Sequence, residues 1–427
     1  MKKLKNSKKL SLKAKKLIPA LSQTFSKAPY SYVDGVYPTY LSRGKGSHVF
    51  DVDGNQFIDY VMALGPIILG YNYPRVNNAI INQLKNGISF SIPHHLEIDL
   101  SEKLVKIIPG AKMVRFAKTG SDAATGAVRA ARAHTKRDNI AYCGTGGVWH
   151  DWFTIITSRN KGIPQILRSM IQKFNYNDIE SLRLIFEKWR GEVATVYMEP
   201  IFFEYPQKNF LRDVKKLCRK HGAVLIFDEV ITGFRFANGG AQELLGIEAD
   251  LAVFGKGIAN GMPLGAITGK YDIMQEFRDV FFSTTYGGET LSLAASMAVM
   301  DELLEKDVVK HGWKLGNYMA SKFNKLADEM GINAKMEGIP VRSSIVFRDD
   351  NDKPSLLHKS LFYQEVLKRG VLFGPGAVFF SYSHSKNDIE QTLDACEIGM
   401  KVLRKAIEQR TEYKLLKGKL MKPVMTF

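Results

Sequence analysis

The stretch Ala223-Val-Leu-Ile-Phe-Asp-Glu-Val230 joins an apolar run to two acidic residues. A short apolar run without polar alternation is typical of a strand that is buried on both faces of a sheet. Leu251-Ala-Val-Phe254 repeats this pattern and leads directly into Gly255-Lys256-Gly257. Ligands of open α/β sheets bind outside the carboxyl ends of the strands, which is where Asp228 and Lys256 fall. The two stretches therefore predict a parallel sheet with a ligand site at one edge.

Strand and helix patterns alternate on both sides of this stretch. We predict strands at Met113–Phe116 and Val193–Met198, and helices at Asp122–His134 and Phe210–Lys220. Strands separated by helices indicate an α/β fold, with a mostly parallel central sheet flanked by helices. Nearer the N-terminus, residues 49–59 alternate apolar and polar side chains around an Asp-Gly pair, which predicts a hairpin.

The sequence divides into three segments. Residues 1–75 contain a basic arm and the hairpin, which we expect to pack with a small domain. Residues 76–315 form the large domain with the ligand site, and residues 316–427 form a smaller C-terminal α+β domain. In the last segment we predict three helices and one strand, in the order helix Tyr318–Met330, strand Ser343–Phe347, helix Ser360–Arg369 and helix Asn387–Lys405.

Composition and charge exclude several classes of protein. Of the 427 residues 45% are hydrophobic, but no apolar run approaches the roughly 20 residues of a membrane-spanning helix. The net charge is +17, and the lysine-rich segment 1–16 contains no acidic residue. Because no paired Cys/His finger or aromatic RNA-binding strand accompanies this charge, we expect a basic surface around an anion-binding protein and no nucleic acid partner. Without a secretory signal pattern, the expected location is cytoplasmic.

The three cysteines, Cys143, Cys218 and Cys396, lie far apart in the sequence. An odd number without C-x-x-C spacing argues against a disulfide framework and against a zinc site. We therefore expect reduced thiols in or near the core and no bound metal.

Two loops with glycine and hydroxyl groups suit a phosphate. Thr119-Gly-Ser-Asp122 lies between a predicted strand and an Ala-rich helix, and Ser121 is a plausible N-cap. Gly120 and the first N–H groups of that helix would form a phosphate cradle at the positive end of its dipole. Ser283-Thr-Thr-Tyr-Gly-Gly288 precedes another small-residue helix and suits a second phosphate contact. Taken alone, each loop is equally well explained as a cap or turn without a ligand.

The order of these features points to one cofactor class. A strand-end acid usually caps a turn, and a lysine between glycines usually lies at the surface. A phosphorylated aldehyde with a basic ring nitrogen, however, needs all four features together: a phosphate cradle, an acid at Asp228, a lysine at Lys256 and a second hydroxyl loop. The acid would hold the ring proton, and the lysine would form an imine with the aldehyde.

The chain resembles class III, fold-type I aminotransferases, and within them the glutamate-1-semialdehyde 2,1-aminomutase group. The similarity runs from about Tyr37 to Leu403. It rests on seven stretches: Asp51–Tyr60, Gly65–Gly70, Thr119–Ala124, Phe227–Arg235, Phe254–Gly257, Pro263–Gly265 and Thr285–Gly288. The resemblance implies the cofactor pyridoxal 5′-phosphate (PLP), bound by the domain of residues 76–315, and a homodimer with shared active sites.

The resemblance also implies roles for individual residues. Lys256 would carry PLP as a Schiff base and later move a proton between Cα of the substrate and C4′ of the cofactor. Asp228 would hold the proton on the ring nitrogen, and Val230 would pack against one face of the ring. Gly120 and Ser121 would bind the phosphate.

Four further residues receive weaker assignments. By the resemblance, Thr285 completes the phosphate site from the neighbouring subunit, and Glu199 matches an acid near the ring. Arg235 could contact a substrate carboxylate through its guanidinium fork, although a structural ion pair is an equal alternative. His384 lies in a C-terminal loop that in relatives is near the active-site entrance.

The residue that stacks on the other face of the ring is the one departure from the family pattern. Where the family has an aromatic residue before His-Gly, this chain reads Cys143-Gly-Thr-Gly-Gly-Val-Trp-His-Asp-Trp152. An ungapped alignment puts the stacking position among Thr145, Gly146 and Gly147, and a small shift moves it to Trp149 or Trp152. Trp149 therefore stacks on the ring, or this face is open and the indole only packs in the core.

Together these observations predict amino-group transfer between a small-molecule amino donor and a carbonyl substrate. An aminomutase would use one carbon skeleton for both halves of the reaction, and a transaminase would use two. The segment Lys8–Lys27 resembles relatives that act on sugars or polysaccharide precursors, so a carbonyl-sugar transaminase is the alternative. A PLP-dependent racemase or decarboxylase is a weaker option, and the presence of Asp228 and Lys256 argues against a non-enzymatic basic scaffold.

Overall fold

The structure is a computed structural model that describes residues 3–144 and 147–424. The chain divides into two compact units. Pro74–Val309 forms the first, which we call the central-sheet unit. The residues up to Tyr73 together with Lys310–Val424 form the second, which we call the terminal unit. All of the site residues proposed from the sequence except His384 belong to the central-sheet unit.

Thirteen strands are present in the described part of the chain. They are β1 (Leu41–Lys45), β2 (His48–Asp51), β3 (Gln56–Asp59), β4 (Met113–Ala117), β5 (Asn139–Cys143), β6 (Ile171–Lys173), β7 (Val193–Met198), β8 (Val224–Asp228), β9 (Leu251–Phe254), β10 (Gly265–Gly269), β11 (Ala334–Ile339), β12 (Arg342–Phe347) and β13 (Val371–Leu372).

The α-helices of the same residues vary from one turn to more than six. They are α1 (Lys5–Leu17), α2 (Pro74–Leu84), α3 (Leu96–Ile107), α4 (Gly120–Thr135), α5 (Asp151–Thr154), α6 (Ile179–Lys188), α7 (Phe210–His221), α8 (Ala241–Leu245), α9 (Tyr271–Met274), α10 (Thr290–Glu305), α11 (Val308–Glu329), α12 (Leu356–Lys368), α13 (Lys386–Gln409) and α14 (Glu412–Leu415). No helix among the described residues has the length and apolar character needed to cross a membrane.

One seven-stranded sheet organises the central-sheet unit, in the order β4-β10-β9-β8-β7-β5-β6. The strands from β9 to β6 are parallel, whereas β10 runs antiparallel to both of its neighbours. Every residue of β7, β8 and β9 is buried, as their apolar sequences predict. The helix α4 packs on this sheet through small buried residues such as Ala123 and Ala127. The predicted fold class is thereby confirmed, with one antiparallel strand inserted near the edge.

The terminal unit contains the sheet β1-β2-β3-β13 and the hairpin β11-β12 around a separate apolar core. The predicted hairpin is confirmed, since β2 pairs antiparallel with β3 around the turn at Asp53-Gly54. Asp53 also accepts hydrogen bonds from the backbone N–H groups of Asn6 and Ser7, at 2.7 and 2.9 Å. The hairpin turn therefore fixes the start of α1, so the lysine-rich N-terminus is helical from Lys5.

Several predicted helices begin earlier than the sequence indicates. The largest difference is in α11, which begins at Val308 rather than Tyr318. Gly312 and Gly316 in its first half lower the helical propensity of that segment. Gly316 is nevertheless needed, because a Cβ there would lie 2.3 Å from the carbonyl oxygen of Pro340. The three cysteines are free and buried, as expected.

Candidate active site

Asp228 is the last residue of β8, and it is 6% exposed. Its Oδ1 accepts a hydrogen bond from the backbone N–H of Val230 at 3.0 Å, and its Oδ2 accepts one from the hydroxyl of Tyr197 at 2.6 Å. Burial and the nearby carboxylate of Glu199 raise the pKa of Asp228, while the Tyr197 and Val230 hydrogen bonds and Lys256 lower it. Because a buried carboxylate is stable only when its charge is compensated, this position favours a cationic group as its ligand.

Lys256 follows the neighbouring strand β9, which pairs with β8 so that Val253 lies opposite Asp228. Its side chain is half-buried, and its charge is close enough to lower the pKa of Asp228. The backbone of Lys256 has φ +40, in the left-handed region that a residue with a Cβ rarely adopts. Such conformations cost about 1–3 kcal/mol and are concentrated at functional sites. The predicted pair of strand ends, one acidic and one basic, is therefore brought together.

The helix α4 begins at this same edge of the sheet, and Thr119 rather than Ser121 is its N-cap. The Thr119 side chain accepts from the backbone N–H of Asp122 at 3.1 Å, and the Asp122 side chain accepts from the N–H of Thr119 at 2.8 Å. The prediction of Ser121 as the cap is therefore wrong. Thr119 takes that place because its extended backbone lies just outside the helix, whereas Ser121 is already within the first turn.

Gly120, Val230 and Gly255 form the closest contact between the three segments. A Cβ on Gly120 would lie 2.7 Å from Cγ2 of Val230, and a Cβ on Gly255 would lie 3.4 Å from Cα of Gly120. Position 120 therefore favours glycine, because the Val230 side chain lies too close for a Cβ, whereas a Cβ at position 255 would make an ordinary contact. This contact joins the start of α4 to the segments that carry Asp228 and Lys256.

Ser121 connects α4 to the loop after β5. Its Oγ donates to the carbonyl oxygen of Gly147 at 3.4 Å and accepts from the backbone N–H of Trp149 at 3.2 Å. The Trp149 side chain is 65% exposed, so core packing does not explain it. Trp152 is buried and donates from its indole to Oγ1 of Thr125 at 2.8 Å, which makes it a packing residue. Of the other three candidates for the stacking position, Thr145 and Gly146 lie outside the described residues, and Gly147 has no side chain to stack.

Glu199 lies just beyond the end of β7 and is 5% exposed. Its charge contributes to the raised pKa of Asp228 and of Cys143, the latter to about 12 mainly because of burial. A Cβ on Gly144 would lie 3.6 Å from Oε1 of Glu199. Glu199 is thus near enough to Asp228 to raise its pKa, and the expected place of Glu199 near a cofactor ring stays a prediction.

Three of the remaining candidates lie in different surroundings. Thr285 is in an exposed turn before α10, and among the described residues no hydrogen bond joins its side chain to Gly120 or Ser121. Arg235 is 6% exposed, and its proposed contact with a substrate stays a prediction. His384 is 1% exposed in the core of the terminal unit, where its Nδ1 accepts from the backbone N–H of Ser381 at 3.0 Å. Burial lowers the pKa of His384 to about 4, and the place of its loop near an active-site entrance stays a prediction.

Tyr197 is the contact of Asp228 that sequence reasoning missed. It is 2% exposed and lies on β7, the neighbour of β8 on the side away from Lys256. The available signal was a tyrosine hydroxyl in a strand, Val193–Met198, whose one other polar side chain is Thr195. A buried tyrosine hydroxyl needs a polar partner, but the sequence does not indicate which strand supplies it.

These residues have the chemistry that PLP requires. The buried carboxylate of Asp228 is suited to a protonated ring nitrogen, and the N-terminus of α4 is suited to a phosphate. Lys256 supplies an amine just after the neighbouring strand β9, near enough to lower the pKa of Asp228. No group of three or more potential metal ligands is present among the described residues.

A comparison with models of known families matches residues 31–397 to the class-III aminotransferases. The chain belongs to the class-III aminotransferase family. It is therefore an enzyme of PLP-dependent amino-group transfer with the fold-type I architecture, as the sequence resemblance implies. Amino transfer here includes the aminomutase type of reaction.

Named relatives and a solved structure agree with this assignment. A 3-aminobutyryl-CoA aminotransferase from Cloacimonas acidaminovorans (strain Evry) is 35% identical over 424 residues, covering 95% of this chain and 99% of the relative. A glutamate-1-semialdehyde 2,1-aminomutase from Acetivibrio thermocellus is 34% identical, covering 92% and 96%. The FumI protein of Sphingopyxis sp. MTA144, solved in its PLP internal aldimine form, has a TM-score of 0.89 at 28% identity, covering 96% of this chain and 99% of its own.

Proposed function

We propose that Lys256 is the covalent attachment point of PLP and the proton carrier of the amino transfer. The observation that carries this proposal is the arrangement of the two neighbouring strand ends. Asp228 ends β8, Lys256 follows β9, and Gly120 at the start of α4 touches both segments through Val230 and Gly255. A phosphate, a ring cation and an aldehyde carbon thus each have a partner within one small region.

Each residue of the site has its own role in the proposed reaction. When bound, PLP supplies an electron sink that stabilises negative charge on the carbon next to the substrate nitrogen. Asp228 holds a proton on the ring nitrogen through a carboxylate oxygen, and Val230 covers one face of the ring. Lys256 Nζ would take a proton from the substrate Cα and would return that proton to C4′ of the cofactor. Gly120 and Ser121 hold the phosphate, and Trp149 covers the second face.

For the substrate, we propose the glutamate-1-semialdehyde type of reaction first. Several relatives at 33–34% identity that cover most of the chain carry the name glutamate-1-semialdehyde 2,1-aminomutase, and this supports the proposal. The relative named 3-aminobutyryl-CoA aminotransferase, at 35% identity, equally supports a transaminase with two substrates. A carbonyl-sugar acceptor is the alternative, based on the segment Lys8–Lys27.

Absorbance of the purified holoenzyme tests this proposal. We expect the cofactor band to change on addition of glutamate-1-semialdehyde, with 5-aminolevulinate as product and no second substrate required. A band that changes only with a separate amino donor would identify a transaminase, and a panel of oxo-acids and keto-sugars would then identify its acceptor. Carbon dioxide release or loss of chirality without amino transfer would overturn the proposal in favour of a decarboxylase or racemase.

We also propose a homodimer with shared sites. Ile88, Phe90, Ile92 and Ile98 of the central-sheet unit are 42–78% exposed, and an apolar surface of this kind is typical of an interface. Thr285 is exposed as well, so it is available to a second copy.

Mixing of two defective variants tests this arrangement. In a heterodimer of Lys256→Ala and Thr285→Ala subunits, one site regains both residues only if Thr285 acts on the partner. We expect a dimer by light scattering and recovered activity after subunit exchange. A monomer, or no recovery in a confirmed heterodimer, would contradict the proposal. The cytoplasmic location is likewise a proposal, which cell fractionation tests.

A further inference from the structure

The two oxygens of Asp228 are held by different groups. The backbone N–H of Val230 donates to Oδ1, and this contact belongs to the turn that follows β8. The hydroxyl of Tyr197 donates to Oδ2 at 2.6 Å from the neighbouring strand β7. Hydrogen bonds of O–H groups to carboxylates at this distance are among the stronger ones in proteins.

The ring of Tyr197 is itself held in place by Trp152. The two rings lie edge to face, with their centroids 5.3 Å apart, and both side chains are buried. Trp152 is fixed in turn by the hydrogen bond from its indole to Oγ1 of Thr125 on α4. The orientation of the hydroxyl is therefore set by packing before any ligand is bound.

We propose that Tyr197 is a positioning residue for Asp228: its hydroxyl holds the carboxylate charged and aimed, so that the acid retains the protonated ring of the cofactor. This inference rests on the proposed role of Asp228. Tyr197 itself does not touch the reacting atoms, and it acts through the carboxylate alone.

The charged groups around Asp228 make this contact necessary. Glu199 faces it as a second acid, Glu229 is the next residue, and Lys256 is the cation. Burial and Glu199 both raise the pKa of Asp228, and the Tyr197 hydroxyl has the largest opposing effect. Without this hydroxyl, Asp228 would be protonated at higher pH and would hold the ring proton less well.

The variant Tyr197→Phe, prepared as the full-length holoenzyme, tests the inference. A hydrogen bond to a charged group corresponds to roughly a 10-fold effect or more. We therefore expect PLP to dissociate about 10-fold faster and kcat to fall about 10-fold with little change in KM. The acid limb of the kcat profile should move to higher pH. With PLP labelled by ¹⁵N at the ring, the nitrogen signal should shift toward that of the unprotonated form.

Tyr142→Phe is the matched control, since Tyr142 lies opposite Tyr197 on the adjacent strand β5 and among the described residues forms no hydrogen bond with Asp228. We expect it to leave all four measurements unchanged. Equal effects of the two variants would show that Tyr197 only packs, and an unchanged ¹⁵N signal in Tyr197→Phe would overturn the inference.

A double-mutant cycle separates this inference from the proposed function. If Tyr197 acts through the carboxylate, Tyr197→Phe should have little further effect on PLP dissociation in an Asp228→Asn background. Additive effects would contradict the inference while leaving the role of Asp228 intact. If Asp228→Asn alone changes neither the ¹⁵N signal nor kcat, the proposed function itself fails.

Discussion

Asp228 in the central-sheet unit and Asp59 in the terminal unit have nearly the same local structure. Each ends a strand, each is almost fully buried, and each accepts from a backbone N–H two residues later. Each also accepts from a tyrosine hydroxyl at 2.6 Å, from Tyr71 in the case of Asp59. Burial raises the pKa of both carboxyls.

The two acids differ in the charges around them. Lys27 lowers the pKa of Asp59, and no second carboxylate is among the causes of its shift. Asp228 has Lys256 nearby, but Glu199 adds a second negative charge. Two acids and one lysine favour one more cation at this position, and we propose that a protonated ring nitrogen is that cation. The comparison shows that the two acids share their local geometry and differ in the charges around them, and this difference is the basis for proposing a cofactor at Asp228 alone.

Replacing the lysine near each acid should have very different effects on cofactor binding and kcat. Lys256 lies near Asp228, and Lys27 lies near Asp59. We expect Lys256→Ala to remove covalently bound PLP and to lower kcat by at least about 10³-fold, since it removes both the attachment and the proton carrier. Lys27→Ala should keep the covalent cofactor. Borohydride reduction followed by peptide mass mapping checks both, and a reduced PLP adduct elsewhere than on Lys256 would refute the assignment.

Replacing Asp228 by its amide should reduce catalysis, whereas replacing Asp59 by its amide should reduce the stability of the fold. We expect Asp228→Asn to lower kcat by about 10²-fold or more, because an amide cannot hold the ring proton. Asp59→Asn should lower the free energy of unfolding by about 1–3 kcal/mol, since the amide leaves a buried donor unpaired, and should keep kcat per folded molecule. Steady-state kinetics with urea unfolding measures both. Similar loss of kcat in the two variants would break the distinction.

A third buried acid, Glu229, should make the free energy of unfolding depend on pH. It accepts from Thr232 and from two backbone N–H groups, yet burial raises its pKa to about 7. The folded chain then keeps a proton that the unfolded chain loses above about pH 4.5, so stability falls as pH rises from there to about 7. The loss is about 3 kcal/mol at 1.4 kcal/mol per pKa unit.

Urea unfolding of the apo protein at several pH values measures this loss. We expect the decline between about pH 5 and about pH 8 to be smaller in Glu229→Gln than in the wild type, by about that amount. The lower absolute stability of the variant does not matter, because only its slope is compared. Identical slopes would show that Glu229 is ionised in both states.

The smallest expected effect concerns Tyr71, the tyrosine that donates a hydrogen bond to Asp59. Tyr71→Phe should reduce the free energy of unfolding by about 1 kcal/mol through loss of its hydrogen bond to Asp59. PLP dissociation and kcat should not change, in contrast to Tyr197→Phe. A matching loss of cofactor in Tyr71→Phe would show that the two tyrosines do not differ as their surroundings indicate.

Much of the fold and the pair Asp228 and Lys256 could be predicted because they depend on local pattern. An apolar run of four or five residues identifies a buried strand, and the residue after it is at a strand end. The N-cap of α4 could not be predicted in this way, since Thr119 and Ser121 both carry a hydroxyl. Only the backbone conformation decides that Thr119 lies outside the helix.

Contacts between distant segments could not be predicted either, because they depend on residues that are far apart in the sequence. Trp149 and Trp152 are three residues apart, but one is exposed and the other is buried against Tyr197. The burial of His384 likewise depends on packing within the terminal unit, which the pattern of its own segment does not show.

By itself the sequence determined several of the strands and helices, and that an acid ends one strand and a lysine follows another. Side-chain pattern decides these features because they depend on neighbours along the chain. The tertiary structure decided that β7 lies beside β8, so that Tyr197 reaches Asp228 and Glu199 adds its charge. Strand order and burial set these effects, because electrostatic and hydrogen-bond energies depend on distance in space.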